Sequence, residues 1–288
     1  MNKRRVRVSN SELDRPSLLL AGDSVAVGNL RDDLESYELV LGSVSSAQTS
    51  SFRFGVDFAW DFTSRFRPIA LRGPLVVVHA AANPQLSRRG DGVLACLNVR
   101  TGIWEELGRG ELTVAAASPN GRWIGWQVEE QISVIDLDSR RTLFEVAATA
   151  WRMALSNELV GALSGPELTV RSLDGTLIGA SQLHEQPFSL LECPDGFLAV
   201  SRTGRVERWS RAGLTPLPSV PIPLLDSNHL KLELICADDE RLVSFDPIAQ
   251  TSVELGPCGH DDALSVDFYD RRMARLEAGA RHVSITSF

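Results

Sequence analysis

An all-β chain is what the sequence predicts, and three observations predict it. Short runs of apolar alternation bounded by Gly, Asn, Asp or Pro fill almost the whole chain, the mark of strands and turns. Helical periodicity over three turns is hard to find, and the short RDDLESYE, 31–38, is the best helix candidate. A turn recurs: NVRTG starts at Asn98, DLDSRR at Asp136, SLDGT at Ser172, SRAG at Ser210 and DPIAQT at Asp246, so successive starts differ by 38, 36, 38 and 36 residues. Each is followed by a short apolar strand: IWEEL, TLFEV, LIGAS, LTPLP or SVELG.

The unit from Glu111 to Val146 shows what repeats. LTVAAAS is a strand, and PNG is a tight turn in which Asn120 and Gly121 can take positive φ. WIGWQV and QISVIDLD are the second and third strands, SRR turns, and TLFEV is the fourth. Four antiparallel strands in one such period make one blade of a β-propeller. In chain order the blades fall near 16–61, 66–107, 111–147, 150–181, 186–220, 228–256 and 262–288. DFTSR near Asp61 fits the period going backward. HVSITSF supplies a third strand for the last blade, and the alternating RRVRVS at the N-terminus can supply its fourth. The expectation is a single domain over 1–288: a propeller of four-stranded antiparallel blades, its ring closed by N- and C-terminal strands, without a free edge there. Seven blades is the count, with six the alternative, because SVSSAQTSSFRFG is the least regular region.

SPNGRWIGWQVEEQISVIDLDSRR, 118–141, and CPDGFLAVSRTGRVERWSRAG, Cys193 to Gly213, resemble the strand–turn–strand of WD-repeat and YVTN-type propellers. The second places Trp209 where WD-repeat blades carry their third-strand Trp. GHDDALSVDFYDRRMARLEAGARHVSITSF, 259–288, is similar to a whole WD-repeat unit opening on its Gly-His pair. The resemblance runs from about Pro68 to Phe288 and implies the fold rather than the function. It also implies that His260 packs between strands and hydrogen-bonds within its blade. The corresponding turn, EAGARH, lacks the Asp of that network, which marks a degenerate blade.

Composition narrows the function. The hydrophobic fraction of 43% supplies a core, and a net charge of −8 argues against a nucleic-acid partner. No stretch approaches a membrane span, and the apolar run SLLLAG is too short for a signal peptide, so a cytoplasmic protein is expected. Cys96, Cys193, Cys236 and Cys258 lie far apart with no CxxC, consistent with reduced, mostly buried thiols. Cys258, His260, Asp261 and Asp262 crowd together, but strand neighbours point to opposite faces, so neither a metal nor any other cofactor is expected.

LLLAGDSVAVG, Leu18 to Gly28, resembles the nucleophile block of GDS(L)/SGNH hydrolases, which implies Ser24 as nucleophile, and DSNH gives Asp226 and His229 as that family's D-x-x-H. That fold alternates strands with long helices, and its intermediate Gly and G-x-N-D elements have no recognisable counterpart here. AGDS then reads as a strand-connecting turn and DSNH as a polar loop. No GxSxG, P-loop or HExxH occurs. A non-catalytic protein–protein interaction scaffold is expected; an esterase or lactonase using a channel site or Ser24, Asp226 and His229 is the alternative.

A propeller's fourth-to-first and second-to-third connections share one face. Sorted that way, Glu129, Glu130, Glu185, Asp226, Asp238, Asp239, Glu240, Asp261 and Asp262 gather on one side, which would steer in a basic segment of a partner protein. The longest irregular insertion inside a blade, Ala80 to Gly92, places Arg88 and Arg89 at its tip as exposed donors. Trp123, Trp126, Trp151 and Trp209 are expected to fill blades.

Overall fold

The recurring turn has one chemistry. In the computed structural model its first residue lends a side-chain oxygen to the backbone just ahead: Asn98 Oδ1 accepts from Arg100 N at 3.0 Å, Asp136 Oδ1 from Asp138 N at 3.0 Å, Ser210 Oγ from Ala212 N at 3.3 Å and Asp246 Oδ1 from Ala249 N at 2.9 Å. Each turn also holds a left-handed residue three or four positions on: Gly102 at φ 69°, Arg140 at 58°, Gly175 at 86°, Gly213 at 119° and Gln250 at 55°. In the Ser172 turn Asp174 Oδ1 takes this part, accepting from Thr176 N at 3.0 Å, and the spacing is regular because such a short side-chain-to-backbone bond is rebuilt in each of blades two to six. In the PNG turn only Gly121 goes left-handed, at φ 67°; Asn120 acts through its side chain, whose Oδ1 accepts from Arg122 N at 2.9 Å.

The structure describes residues 2–7, 17–30, 36–46, 48–55, 65–81, 91–220, 224–228, 233–238, 241–247, 249–257, 265–269, 272–276 and 282–287. All regular elements among them are strands. They are β1(Asn2–Arg7), β2(Ser17–Ala21), β3(Ser24–Leu30), β4(Ser36–Ser43), β5(Thr49–Gly55), β6(Arg65–Arg72), β7(Leu75–Ala81), β8(Asp91–Asn98), β9(Ile103–Ala117), β10(Trp123–Val128), β11(Gln131–Asp136), β12(Arg141–Ala147), β13(Arg152–Leu155), β14(Leu159–Ser164), β15(Glu167–Ser172), β16(Leu177–Gln182), β17(Pro187–Cys193), β18(Gly196–Ser201), β19(Val206–Ser210), β20(Gly213–Leu217), β21(Leu224–Asn228), β22(Glu233–Asp238), β23(Arg241–Asp246), β24(Thr251–Pro257), β25(Ser265–Tyr269), β26(Arg272–Leu276) and β27(His282–Ser287).

They form seven four-stranded antiparallel blades, and the fold is a seven-bladed β-propeller. Blade one is β2–β5. Strand β9 is the fourth strand of blade two and then the first of blade three, β9–β12. The next three are β13–β16, β17–β20 and β21–β24. In the seventh, β25, β26 and β27 are completed by β1, with Val6 opposite Val283. The chain divides into two compact units, Met1–Leu112 with Gly259–Phe288, and Thr113–Cys258.

Three expectations need correction. RDDLESYE is no helix in its described part: Ser36, Tyr37 and Glu38 lie on β4, where Tyr37 is fully buried and stacks on Phe66 at 4.4 Å. Blade one turns from third to fourth strand at 44–48, so Asp61 follows β5 instead of preceding it. DSNH is no loop either, since Asp226, Ser227 and Asn228 lie on β21, and blade six starts at Leu224.

Burial explains the layering. Middle strands β10, β14 and β18 are nearly all buried, whereas fourth strands β5, β12 and β16 are mostly exposed. Cores fill the space between neighbouring sheets within each unit. In one, Phe66 stacks on Tyr37 and on Phe54, which meets Trp104 at 4.6 Å. In the other, Phe197 and Trp209 join Leu163, Leu168 and Leu190.

Asp136, at the end of β11, gives the second unit a pH dependence. It is buried, and Arg122 grips it in two bonds, Nε to Oδ1 at 3.1 Å and Nη2 to Oδ2 at 2.8 Å. That hydrogen bonding holds its carboxyl at about 2, below the ordinary 3.8, with the Asp138 amide helping against the cost of burial. A depressed folded pKa contributes stability above pH 4 that disappears as pH falls from 4 toward 2. The contribution is on the order of 1–2 kcal/mol, trimmed because the Arg122 side chain is 40% exposed. Asp136→Asn should therefore lower the urea midpoint at pH 7 and flatten its fall between pH 4 and pH 2.5. An unchanged midpoint at pH 7 would contradict this account.

Candidate functional site

An open cleft of about 530 Å³ lies within the second unit, between the fourth and fifth blades. Its lining is Trp151, Arg152, Glu185, Gln186, Pro187, Phe188, Arg202 and Thr203. These come from the β12–β13 and β16–β17 connections, the starts of β13 and β17, and the β18–β19 turn. All lie on the side of the fourth-to-first and second-to-third connections.

The backbone that carries them is pinned from below by buried polar side chains on middle strands. Gln127, on β10, accepts through Oε1 from the amide of Ala150, just before Trp151. Its Nε2 donates to Glu129 O at 2.5 Å. Glu207, on β19, accepts from the His184 amide at 3.0 Å, and its Oε1 lies 2.5 Å from His184 Nδ1. Both side chains are 4% exposed, where an unpaired polar group would be costly. Their pairing explains a polar residue inside WIGWQV and inside VERWS.

The cleft wall alternates aromatic and cationic groups. The Arg152 guanidinium sits 5.1 Å from the Trp151 ring and donates through Nε to Phe188 O at 3.3 Å. Arg202 lies 5.7 Å from the Phe188 ring. Phe188 is 43% exposed, one of few large apolar side chains so placed among the described residues. Thr203 Oγ1 donates to Glu185 Oε2 at 2.7 Å, and this bond, with Ser201, holds the Glu185 carboxyl below the ordinary carboxylate range.

A second groove, of about 540 Å³, opens on the other set of turns of the same unit, around Asn157, Cys193, Asp195, Arg208 and Arg211. Its Arg208 already pairs with Asp195 at 3.2 Å. The Cys193 thiol in its floor is pushed up by burial, which makes it a poor nucleophile.

The expected site residues distribute unevenly. Glu129 and Glu130 are exposed in the β10–β11 turn, and Glu185 reaches the cleft. Asp238 ends β22, and nothing further is described of it. Arg88, Arg89, His229, Asp239, Glu240, His260, Asp261 and Asp262 lie outside the described residues. Trp209 is buried on β19 at 4% exposure, 6.5 Å from Phe197. Ser24 is exposed at the start of β3 in the first unit, beyond the Gly22–Asp23 turn, while Asp226 belongs to the second unit. Among the described residues no three His, Cys, Asp or Glu side chains cluster to hold a metal. Cys96, Cys193 and Cys236 are buried, and burial pushes the Cys236 thiol up to about 12.

Trp151, Arg152, Phe188 and Arg202 were not foreseen as a set. Sorting only acids and a few arginines by face leaves out an arginine beside an aromatic, as in AWRM, and one across a hairpin from another, as in QPF and SRT. That pairing on connections of one face is the signal that finds them.

No protein-family model matches the chain, and no curated protein matches it. Solved structures do. Hsv2 of Kluyvelomyces marxianus superposes with a TM-score of 0.61 at 10% identity, over 96% of this chain and 92% of that one. KlHsv2 with loop 6CD replaced by a Gly-Ser linker gives 0.58 at 9% identity, over 92% and 90%. BBS1N, solved in complex with ARL6DN and soaked with lead, gives 0.57 at 12% identity, over 98% and 94%. The likeness is one of fold alone.

Proposed function

We propose that this chain is a WD-repeat-like, non-catalytic scaffold that holds a segment of another protein against one loop face in the cytoplasm. The cleft that leaves Phe188 exposed beside Arg152 and Arg202 carries the reading. Large apolar area next to Arg, over a backbone already pinned, is the composition of interface hot spots, and pinning lowers the ordering cost of binding. The similar BBS1N was solved with ARL6DN, which supports reading this fold as a binding platform. Glu185 lines the same cleft, and Glu129 and Glu130 lie on the same set of connections one blade before it, so the partner segment places an apolar side chain on Phe188 and basic residues toward these acids.

The test is affinity capture of the tagged full chain from its host, with mass spectrometry. Phe188→Ala is expected to cut recovery of a stoichiometric partner by about tenfold, as loss of a hot-spot side chain does. Glu129→Lys with Glu130→Lys should weaken capture further at low salt than at high salt. Full recovery with both variants, or no stoichiometric partner for the wild type, would remove the proposal. Ester and lactone substrates should show no turnover that Ser24→Ala abolishes.

A further inference from the structure

A propeller presents one sheet edge per blade outward, and unprotected edges recruit other strands. Six of the seven outer strands here are guarded. Arg53 lies on β5, Glu105, Glu106 and Arg109 on β9, Arg141 and Glu145 on β12, Pro216 on β20, Glu254 and Pro257 on β24, and four basic residues on β1. Strand β16, LIGASQ, has neither charge nor proline. It is the last strand of its sheet, and among the described residues no strand pairs with its far edge.

Its start is also apolar and raised. Arg171 faces Leu177 and Val170 faces Gly179, so Ile178 is the extra residue of a bulge. Leu177 is 52% exposed and Ile178 38%, side by side. From Gly179 to Gln182 the register with β15 runs without interruption, and the residues are small or uncharged. A regular backbone edge thus begins beside an apolar knob.

We propose that the edge of β16 is a second docking site, independent of the cleft, that takes an extended, uncharged apolar segment of a partner protein as a fifth antiparallel strand. Backbone hydrogen bonds along 179–182 would supply affinity, and Leu177 with Ile178 would supply the preference for an apolar side chain. A second copy of this chain is the poorer occupant, because an edge this short falls well below the roughly 1,200 Å² of a stable interface. A linear segment needs no such area.

The probe is acetyl-Thr-Val-Thr-Val-Thr-Val-amide, added to the full chain and followed by amide hydrogen exchange. The expected result is slowing of exchange by about tenfold or more at amides within 177–182, and at no other strand. The same peptide N-methylated at alternate residues keeps its side chains but loses one hydrogen-bonding edge, and it should give no protection. Ile178→Lys should abolish protection, whereas Phe188→Ala should leave it unchanged and thereby separates this site from the cleft. Protection elsewhere, none at all, equal protection by the methylated peptide, or concentration-dependent dimerisation that Ile178→Lys removes would each overturn the assignment.

Discussion

Phe197→Ala should destabilise the second unit by about 3–5 kcal/mol, the range for emptying a large aromatic from a core. Phe197 is fully buried on β18, among Leu163, Leu168, Val170 and Trp209. Its ring reaches across to blade four and lies over Gly161, where a Cβ would stand 3.1 Å from it. No side chain at 161 could relax into the vacated space, so the cavity persists and the cost falls in the upper part of that range. At roughly 2–4 °C per kcal/mol for a chain of this size, the melting temperature should drop by about 10 °C or more. Phe188→Ala, nine residues away and exposed, should stay within about 0.5 kcal/mol of the wild type. A Phe197→Ala protein that melts within 2 °C of the wild type would contradict the described packing.

Gly28→Ala should also be harmful, though less so, by the opposite means. A Cβ at Gly28, on β3, would sit 2.6 Å from the carbonyl oxygen of Phe66 and 2.9 Å from both its ring and Ser17 Oγ. The carbonyl is backbone, held by Ser17 Oγ at 2.5 Å, and cannot swing aside. Overpacking of this kind costs about 1–3 kcal/mol, and Gly28→Val should exceed Gly28→Ala. Urea unfolding of the three proteins checks the order. Equal midpoints would mean that β6 does not approach β3 this closely.

Those two positions also show what could be read in advance. The third-to-fourth turns were legible because an Asp, Asn or Ser followed by a left-handed residue is local chemistry, written in five consecutive residues. The closing strand was legible because RRVRVS alternates and HVSITSF lacked a partner. Blade one was not, because its corresponding turn, VSSAQ, carries no Asp or Asn and no glycine at 45–48, and the stretch between β5 and β6 offers a false match at Asp61. RDDLESYE has helix-forming residues, yet Tyr37 is decided by its stack on Phe66, which no local rule contains. β21 was hidden because three of its five residues, Asp226 to Asn228, are polar. The cleft was least legible of all: Trp151 is a whole blade of sequence from Phe188 and Arg202, and they meet only after both sheets have formed.

The pairing of β1 with β27 has a consequence in time. Strand β1 leaves the ribosome well before its partner β27 is made, and at about 5–20 residues per second some 15–55 s separate them. The whole of the second unit, 113–258, emerges in that interval. Meanwhile the early segment must avoid pairing with anything else. Its composition suits the wait: Lys3, Arg4, Arg5 and Arg7 repel a stray strand, and only Val6 is apolar. That valine ends fully buried beside Val25 and Val283. That sheet is thus a late contact to form, and Val6→Asp should show first as a delay in folding during synthesis.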